Sequence, residues 1–284
     1  MIVTRFAPSP TGFLHLGHAF AALTAQRAAA RQGGRFLLRI EDIDATRCRP
    51  EYEQAIKDDL RWIGLPFEEP VRRQSEHFAD YGAALKTLDA RGLLYPCFCT
   101  RKEIAEEIAR AAEAPHGPDG PLYPGTCRRL PMMAREARIA AGDSYALRLD
   151  VGKAMGVAGE TLTFVEQGAG PAGETGEQIG RPALFGDVVL ARKELPASYH
   201  LAVVVDDALQ GVTLVTRGND LFPATHIHRL LQACLGYEPT AYAHHRLILD
   251  ARGKKYSKRD EAVTLDHFRR NGTSPAFIRT SLGF

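Results

Sequence analysis

Two histidines near the start of this 284-residue chain and two lysines near its end are set in contexts that suit one chemistry, the handling of phosphate. His15 and His18 flank Gly17 in His-Leu-Gly-His. Imidazole N–H groups can donate to phosphate oxygens as negative charge builds in a transition state. A glycine between them lets a nucleotide come close to the backbone. Lys255 and Lys258, in Lys-Tyr-Ser-Lys-Arg, are mobile point charges suited to a triphosphate, and Ser257 between them adds a hydroxyl. Each segment alone has an ordinary reading, a helix start with surface histidines or a solvated charged loop. Together they read as the two halves of an ATP site, with Mg²⁺ bridging the phosphates.

The surrounding elements are those such a site needs. Val3 and Phe6 fit a short buried strand that Pro8-Ser9-Pro10-Thr11-Gly12 cannot continue. Leu16, Phe20 and Leu23 then recur at helical spacing, so His15, Gly17 and His18 fall at a helix N-terminus, where free N–H groups favour anions. A second strand is expected over Arg35–Glu41, with helices at roughly 50–64 and 76–91. Strand alternating with helix predicts an α/β fold, a parallel Rossmann-like sheet covered on both faces, with ligands at the carboxyl ends of its strands.

Beyond about residue 93 the pattern changes. A cysteine segment, helix Arg101–Ala112 and a Gly/Pro-rich stretch precede strand-like runs at Tyr145–Leu149, Leu162–Val165 and Asp187–Leu190. Gly168–Gly180 reads as a weakly patterned loop. Strand Leu201–Val205 is expected to return to the nucleotide fold, followed by strand Val212–Thr216 and a helix over Ala224–Leu235. The run Leu247–Leu249 reads as a last strand before the turn signal Asp250–Gly253.

Five cysteines do not form a secreted disulfide set. Cys48 and Cys234 are isolated, ordinary thiols. Cys97, Cys99 and Cys127 bracket a loop-rich stretch and suggest zinc, against the plainer reading of three unligated thiols. On residue chemistry alone His116 is the natural fourth ligand, since imidazole binds zinc far more often than phenol. A site closed by four protein ligands is structural.

Composition is that of an ordinary globular protein: 25% charged, net charge +2, with no apolar run of membrane-spanning length and no signal sequence. A cytoplasmic location is expected. The charge balance does not favour nucleic acid, so RNA contact would rest on local patches such as Arg101-Lys102 and Arg128-Arg129. No feature suggests an obligate interface, and a monomer is expected.

The chain resembles the catalytic half of the class I aminoacyl-tRNA synthetases, His15–His18 matching the HIGH signature and Lys255–Arg259 the KMSKS signature. It is similar most closely to the glutamyl type, through Arg5–Gly12, Arg39–Arg47, Tyr199–Asp207 and Val215–Asp220. Tyr256 departs from the family, which has Met or Leu there, but both lysines remain. The resemblance implies ATP-dependent activation of L-glutamate as its adenylate, with His15, His18, Lys255 and Lys258 catalytic and His15, Gly17, His18, Ser257 and Lys258 around ATP. It also implies glutamate contacts at Arg5, Phe6, Ala7, Pro8, Ser9, Glu41, Tyr199 and Arg217. Charge agrees with this: arginine forks suit carboxylates, and Glu41 suits an ammonium. Against each stands the reading of an ordinary ion pair, and for Asp42, Asp44 and Arg47 the structural reading is preferred. Asp206 and Asp207 are expected to shape the rim. For zinc, the family pattern Cys-x-Cys then Tyr-x-x-x-Cys implies Tyr123 as the fourth ligand, with His116 the alternative.

The expected organisation is a catalytic domain of residues 1–92 and 195–245, an inserted zinc-containing α+β subdomain of the acceptor-binding kind over 93–194, and a loop with a short helical end over 246–284. Only 25 residues follow Arg259, too few for an anticodon-binding domain. The short branch of this family without that domain esterifies glutamate, activated without tRNA, to the queuosine base of tRNA(Asp). That is the reaction expected here. The alternatives are a minimal glutamyl-tRNA synthetase charging a 3′-terminal adenosine, or a non-catalytic RNA-binding paralogue.

Overall fold

Strand β1 (Val3–Phe6) is buried at every position, as a strand covered on both faces must be. The computed structural model describes residues 1–110, 116–118, 120–159, 161–193, 195–249 and 263–284. Helix α1 (Leu16–Ala30) leads to β2 (Arg35–Ile40), which pairs in parallel with β1, Val3 opposite Arg35 and Phe6 opposite Leu38. Helix α2 (Pro50–Trp62) starts on a proline, whose missing N–H is no loss in a first turn, and turns Ala55, Ile56 and Leu60 inward. The two-residue β3 (Arg72–Arg73) extends the parallel set, and α3 (Phe78–Ala90) follows.

The next segment is built from β4 (Leu94–Cys97), α4 (Arg101–Arg110), the hairpin of β5 (His116–Gly117) and β6 (Gly120–Pro121), α5 (Met132–Ala140), β7 (Ala146–Leu149) and α6 (Val151–Ala158). Then come β8 (Thr163–Glu166), β9 (Gly176–Ile179) and β10 (Val189–Arg192). β7 is the centre of an antiparallel sheet between β4 and β10. β8 and β9 belong elsewhere. After α7 (Tyr199–Leu209), β11 (Leu214–Gly218), α8 (Ala224–Leu235) and β12 (Ala241–His245), the second sheet has the order β11-β12-β8-β9, with only β9 antiparallel. Helices α9 (Leu265–Arg270) and α10 (Pro275–Ser281) close the chain.

The two parallel sheets meet edge to edge. The Thr213 N–H donates to the Val3 carbonyl at 3.0 Å, and the Val3 N–H to the Thr213 hydroxyl at 2.9 Å. Strand order thus runs outward from β1 in one direction and from β11 in the other. That reversal is where α/β sheets open a crevice at their carboxyl ends. One apolar cluster joins α1, α2, α9 and α10 to β1 and β2, and another joins α3, α7 and α8 to the antiparallel β4-β7-β10 sheet.

The structure corrects three expectations. Leu201–Val205 is not a strand but the heart of α7, entered through Ser198, whose hydroxyl accepts from the Leu201 N–H. A continuous apolar run reads alike as buried strand or buried helix, and this helix buries every residue from Leu201 to Asp207. The last strand is Ala241–His245 rather than Leu247–Leu249; Leu249 is largely exposed. The Gly168–Gly180 loop contains β9. In addition, β8 and β9 lie within the segment expected as an insert, yet they extend the sheet of β11 and β12.

Candidate active site

Helix α1 starts at His15, and its two histidines cap it together. Nδ1 of His15 accepts from the Gly17 N–H at 3.1 Å, and Nδ1 of His18 accepts from the His15 N–H at 3.2 Å. An Nδ1 that accepts leaves the ring proton on Nε2, so both neutral rings carry Nε2–H donors. The rings lie 3.8 Å apart between centroids. A Cβ on Gly17 would stand 3.1 Å from Cε1 of His15, which explains the glycine by its neighbour's ring. On the far side, His15 pairs with Thr264 in an antiparallel bridge. The predicted ATP residues Lys255, Ser257 and Lys258 lie outside the described residues.

Of the expected glutamate residues, Arg5, Glu41 and Arg217 fall at the carboxyl ends of β1, β2 and β11, and Tyr199 opens α7. Ser9, Glu41 and Tyr199 line one cavity of about 670 Å³. Pro8 supports it through its carbonyl, which accepts the Glu41 N–H at 3.0 Å. The Phe6 side chain is buried in the core instead, leaving only its main chain near the rim. Burial pushes the Glu41 carboxyl above its ordinary range, although Arg39 and Arg5 oppose it. Such a group gains most from an incoming cation.

The two expected arginines are placed differently. Arg5 is gripped by Asp207, Nε to Oδ1 at 3.0 Å and Nη2 to Oδ2 at 3.3 Å, and its Nη1 reaches the Thr216 carbonyl. Among the described residues, Arg217 meets no carboxylate. Its Nε donates to Nε2 of His244 at 3.0 Å and its Nη2 to the Thr225 hydroxyl at 2.7 Å. Its Nη1 lies 3.2 Å from Nδ1 of His228 and 3.4 Å from the Tyr199 hydroxyl. Arg217 is only 6% exposed, so a buried guanidinium sits beside the cavity with neutral partners. Burial, reinforced by Arg217, drives His228 well below its ordinary pKa, which keeps that ring neutral.

Asp206 and Asp207 are structural. Arg39, fully buried, donates to Asp207 Oδ1 at 2.6 Å and to Glu41 Oε1 at 3.1 Å. Asp206 accepts from Arg72, Gln74 and Tyr81. Burial would raise Asp207, but Arg5 and Arg39 hold it below the usual carboxylate range. Asp42 is held by Ser75, and Asp44 by Thr46 and Arg47. Arg128 is paired with Asp187 at 3.0 Å, while Arg101 and Lys102 are exposed.

Cys97, Cys99 and Cys127 bring their sulfurs within 4.8 Å of one another. Tetrahedral zinc–thiolate geometry asks for sulfurs roughly 3.8 Å apart, so the triad fits a metal. The Tyr123 hydroxyl lies 3.5 Å from the Cys99 sulfur and accepts from the Cys127 N–H at 2.9 Å. Of His116 the structure describes only the backbone. Cys234 is buried in apolar surroundings, which push its thiol up to about 11.

The sequence matches the family "tRNA synthetases class I (E and Q), catalytic domain" over residues 1–283. The chain belongs to this synthetase family. It is 49% identical to the glutamyl-Q tRNA(Asp) synthetase of Rhodobacter capsulatus, across 99% of this chain and 100% of that one. It is 43% identical to the protein of the same name in Symbiobacterium thermophilum, across 100% of this chain and 86% of that one. Among solved structures, a glutamate tRNA ligase from Elizabethkingia meningosepticum in complex with its amino acid superposes with a TM-score of 0.80 at 28% identity. That match covers 99% of this chain but only 60% of the solved one. Among the described residues, no helix of this synthetase-family chain is long and apolar enough to cross a membrane.

Sequence reasoning did not single out Glu166, Thr225, His228 or His244 around Arg217, nor Arg39 behind Glu41. The available signal was the number of histidines falling on α8 and β12, in segments otherwise apolar enough to be core.

Proposed function

We propose that this protein activates L-glutamate with ATP, without tRNA, and transfers it to the queuosine base of tRNA(Asp). The observation that carries the amino-acid half is Arg217, a buried cation with no carboxylate within 4.0 Å among the described residues, whose Nη1 lies 3.4 Å from the hydroxyl of Tyr199, a residue that lines the cavity with Glu41. A glutamate carboxylate supplies the missing charge, and Glu41 takes the ammonium. Arg5 adds its remaining N–H groups, with Ala7, Pro8 and Ser9 forming the wall. An α-carboxylate oxygen attacks the α-phosphorus of ATP and pyrophosphate leaves. The Nε2–H groups of His15 and His18, with Gly17, Ser257, Lys255 and Lys258, stabilise the charge that builds on the phosphates, and Mg²⁺ enters with ATP as substrate. A hydroxyl of the queuosine cyclopentenediol then attacks the adenylate carbonyl, releasing AMP and leaving an ester.

The queuosine acceptor is supported by the 49% and 43% identity that this chain shares with two glutamyl-Q tRNA(Asp) synthetases. The cavity also extends well past Glu41 toward Tyr123 and Arg192, giving more room than glutamate needs. Cys97, Cys99, Cys127 and Tyr123 would hold one structural zinc that ties β4 to the turn at Cys127. The protein would act as a monomer in the cytoplasm.

Charging total tRNA with labelled glutamate and ATP, followed by digestion with a base-specific ribonuclease, tests the reading. Label is expected on the anticodon fragment, and only from queuosine-containing tRNA(Asp). Label on the 3′-terminal adenosine would make the protein a minimal glutamyl-tRNA synthetase. Absence of both transfer and glutamate-dependent pyrophosphate exchange would make it a non-catalytic paralogue.

A further inference from the structure

We propose that Glu166 and His244 are positioning residues for Arg217, holding its guanidinium in one orientation while keeping the Glu166 carboxylate one imidazole away from it. The inference rests on the glutamate reading above and deepens it. Three neighbouring strands each contribute one member. Arg217 on β11 stands opposite His244 on β12 in the parallel register, and Glu166 ends β8 on the far side of β12. The relay therefore runs across the sheet, perpendicular to its strands, at their carboxyl ends.

Its protons are fixed by its chemistry. Glu166 Oε2 lies 2.5 Å from Nδ1 of His244, and its Oε1 accepts the backbone N–H groups of His244 and Gly168, each at 2.8 Å. Both side chains are fully buried. An ionised carboxylate only accepts, so the His244 proton sits on Nδ1 and the Nε2 lone pair faces outward. That lone pair is what Arg217 Nε needs at 3.0 Å. The opposite tautomer would set two N–H groups against each other. His228 repeats the arrangement: its Nδ1 accepts from Arg217 Nη1, so its Nε2–H points to Nδ1 of His200 at 3.1 Å.

The consequence is electrostatic. A carboxylate touching Arg217 would stabilise it but occupy the fork, as Asp207 occupies that of Arg5. With Glu166 one imidazole away, the cation is steadied without being quenched at short range. Among the described residues no carboxylate lies within 4.0 Å of Arg217, whereas Arg5 and Arg39 each have at least one. A pocket of this kind distinguishes a carboxylate from a carboxamide, since only the former answers the charge.

The test uses the full chain and glutamate-dependent ATP–pyrophosphate exchange. His244→Ala is expected to raise the glutamate KM about tenfold or more, the scale of losing a hydrogen bond to a charged group. The ATP KM should stay within about twofold of the parent, and the preference for glutamate over glutamine should fall. Glu166→Gln, which preserves shape, should give the same direction with a smaller size, and Arg217→Ala the same pattern at least as strongly. A glutamate KM unchanged in both relay variants overturns the proposal, as does an equal loss for glutamate and ATP. Histidine ring ¹⁵N spectra of the unaltered protein give a readout free of activity: His244 protonated on Nδ1 is expected, and Nε2 protonation overturns the relay. If the unaltered protein shows no glutamate-dependent exchange, the proposed function fails, and the spectra still decide whether the relay exists.

Discussion

His15 and Thr264 pair in an antiparallel bridge, next to a 2.8 Å hydrogen bond from the Leu265 N–H to the Leu14 carbonyl. The chain just beyond the basic segment is thereby fastened to the start of α1. Thr264 also caps α9, its hydroxyl accepting from the His267 N–H at 3.1 Å. Thr264, six residues after Lys258 in the sequence, is thus held at the histidine pair.

From that attachment, Lys258→Ala is expected to lower glutamate-dependent pyrophosphate exchange by more than about tenfold, the scale of one lost charge-stabilising contact. The melting temperature should not change, because the packing of α9 and α10 is retained. Exchange at the parent rate would remove Lys258 from the chemistry.

Arg39 balances Asp206, Asp207 and Glu41 from a fully buried position. Arg39→Met would leave Glu41 without its nearest cation and Asp206 and Asp207 with one cation fewer, an imbalance of the kind that typically costs about 3–5 kcal/mol. Urea unfolding measures it. A loss below about 1 kcal/mol would mean that Arg5 and Arg72 carry the balance unaided.

Asp59 on α2 is fully buried; neither oxygen makes a well-aligned hydrogen bond, and its Oδ1 lies 3.4 Å from Nε of Arg269. Burial pushes its carboxyl up to about 7, opposed by Arg269 and helped by Asp266 and Asp58. The unfolded chain ionises this group near pH 3.9. Between those values the folded state binds more proton, so its contribution to stability is full below about pH 4 and is lost as pH rises toward 7. Asp59→Asn should therefore raise the melting temperature more at pH 8 than at pH 5, where the loss is only partial. Equal shifts at the two values, or destabilisation at pH 8, would contradict this account. Arg269 keeps Asp266 at 2.8 Å in either case.

The cysteine cluster predicts one zinc per chain by elemental mass spectrometry. Cys127→Ser should lose that metal and lower thermal stability, while Cys48→Ser should do neither. Zinc retained in full by Cys127→Ser would exclude the triad as its site.

Much of the candidate site's placement is legible in the sequence because local rules govern it. The histidines sit where a strand, a proline-rich turn and an amphipathic run force a helix start, and their capping follows from that position. Glu41 is found by the end of an apolar run. The environment of Arg217 is not legible, because it depends on strands far apart in the chain: Glu166 reaches it only through the β8–β12 pairing. The run Leu201–Val205 misleads for a different reason. A helix buried on all sides has no polar stripe to give its period away, and Asp206 and Asp207, which look like a strand's polar end, are buried by partners from β1, β2, β3 and α3.

The adoption of β8 and β9 into the sheet of β11 and β12 sets a limit on modular engineering. A chimera that exchanged residues 93–194 as a unit between relatives would carry off two strands of the nucleotide sheet, expose the edge of β12, and import another protein's answer to Glu166. Residues 93–194 are therefore not a separable unit in this chain, and grafts that respect the architecture must leave β8 and β9 with the sheet of β11 and β12.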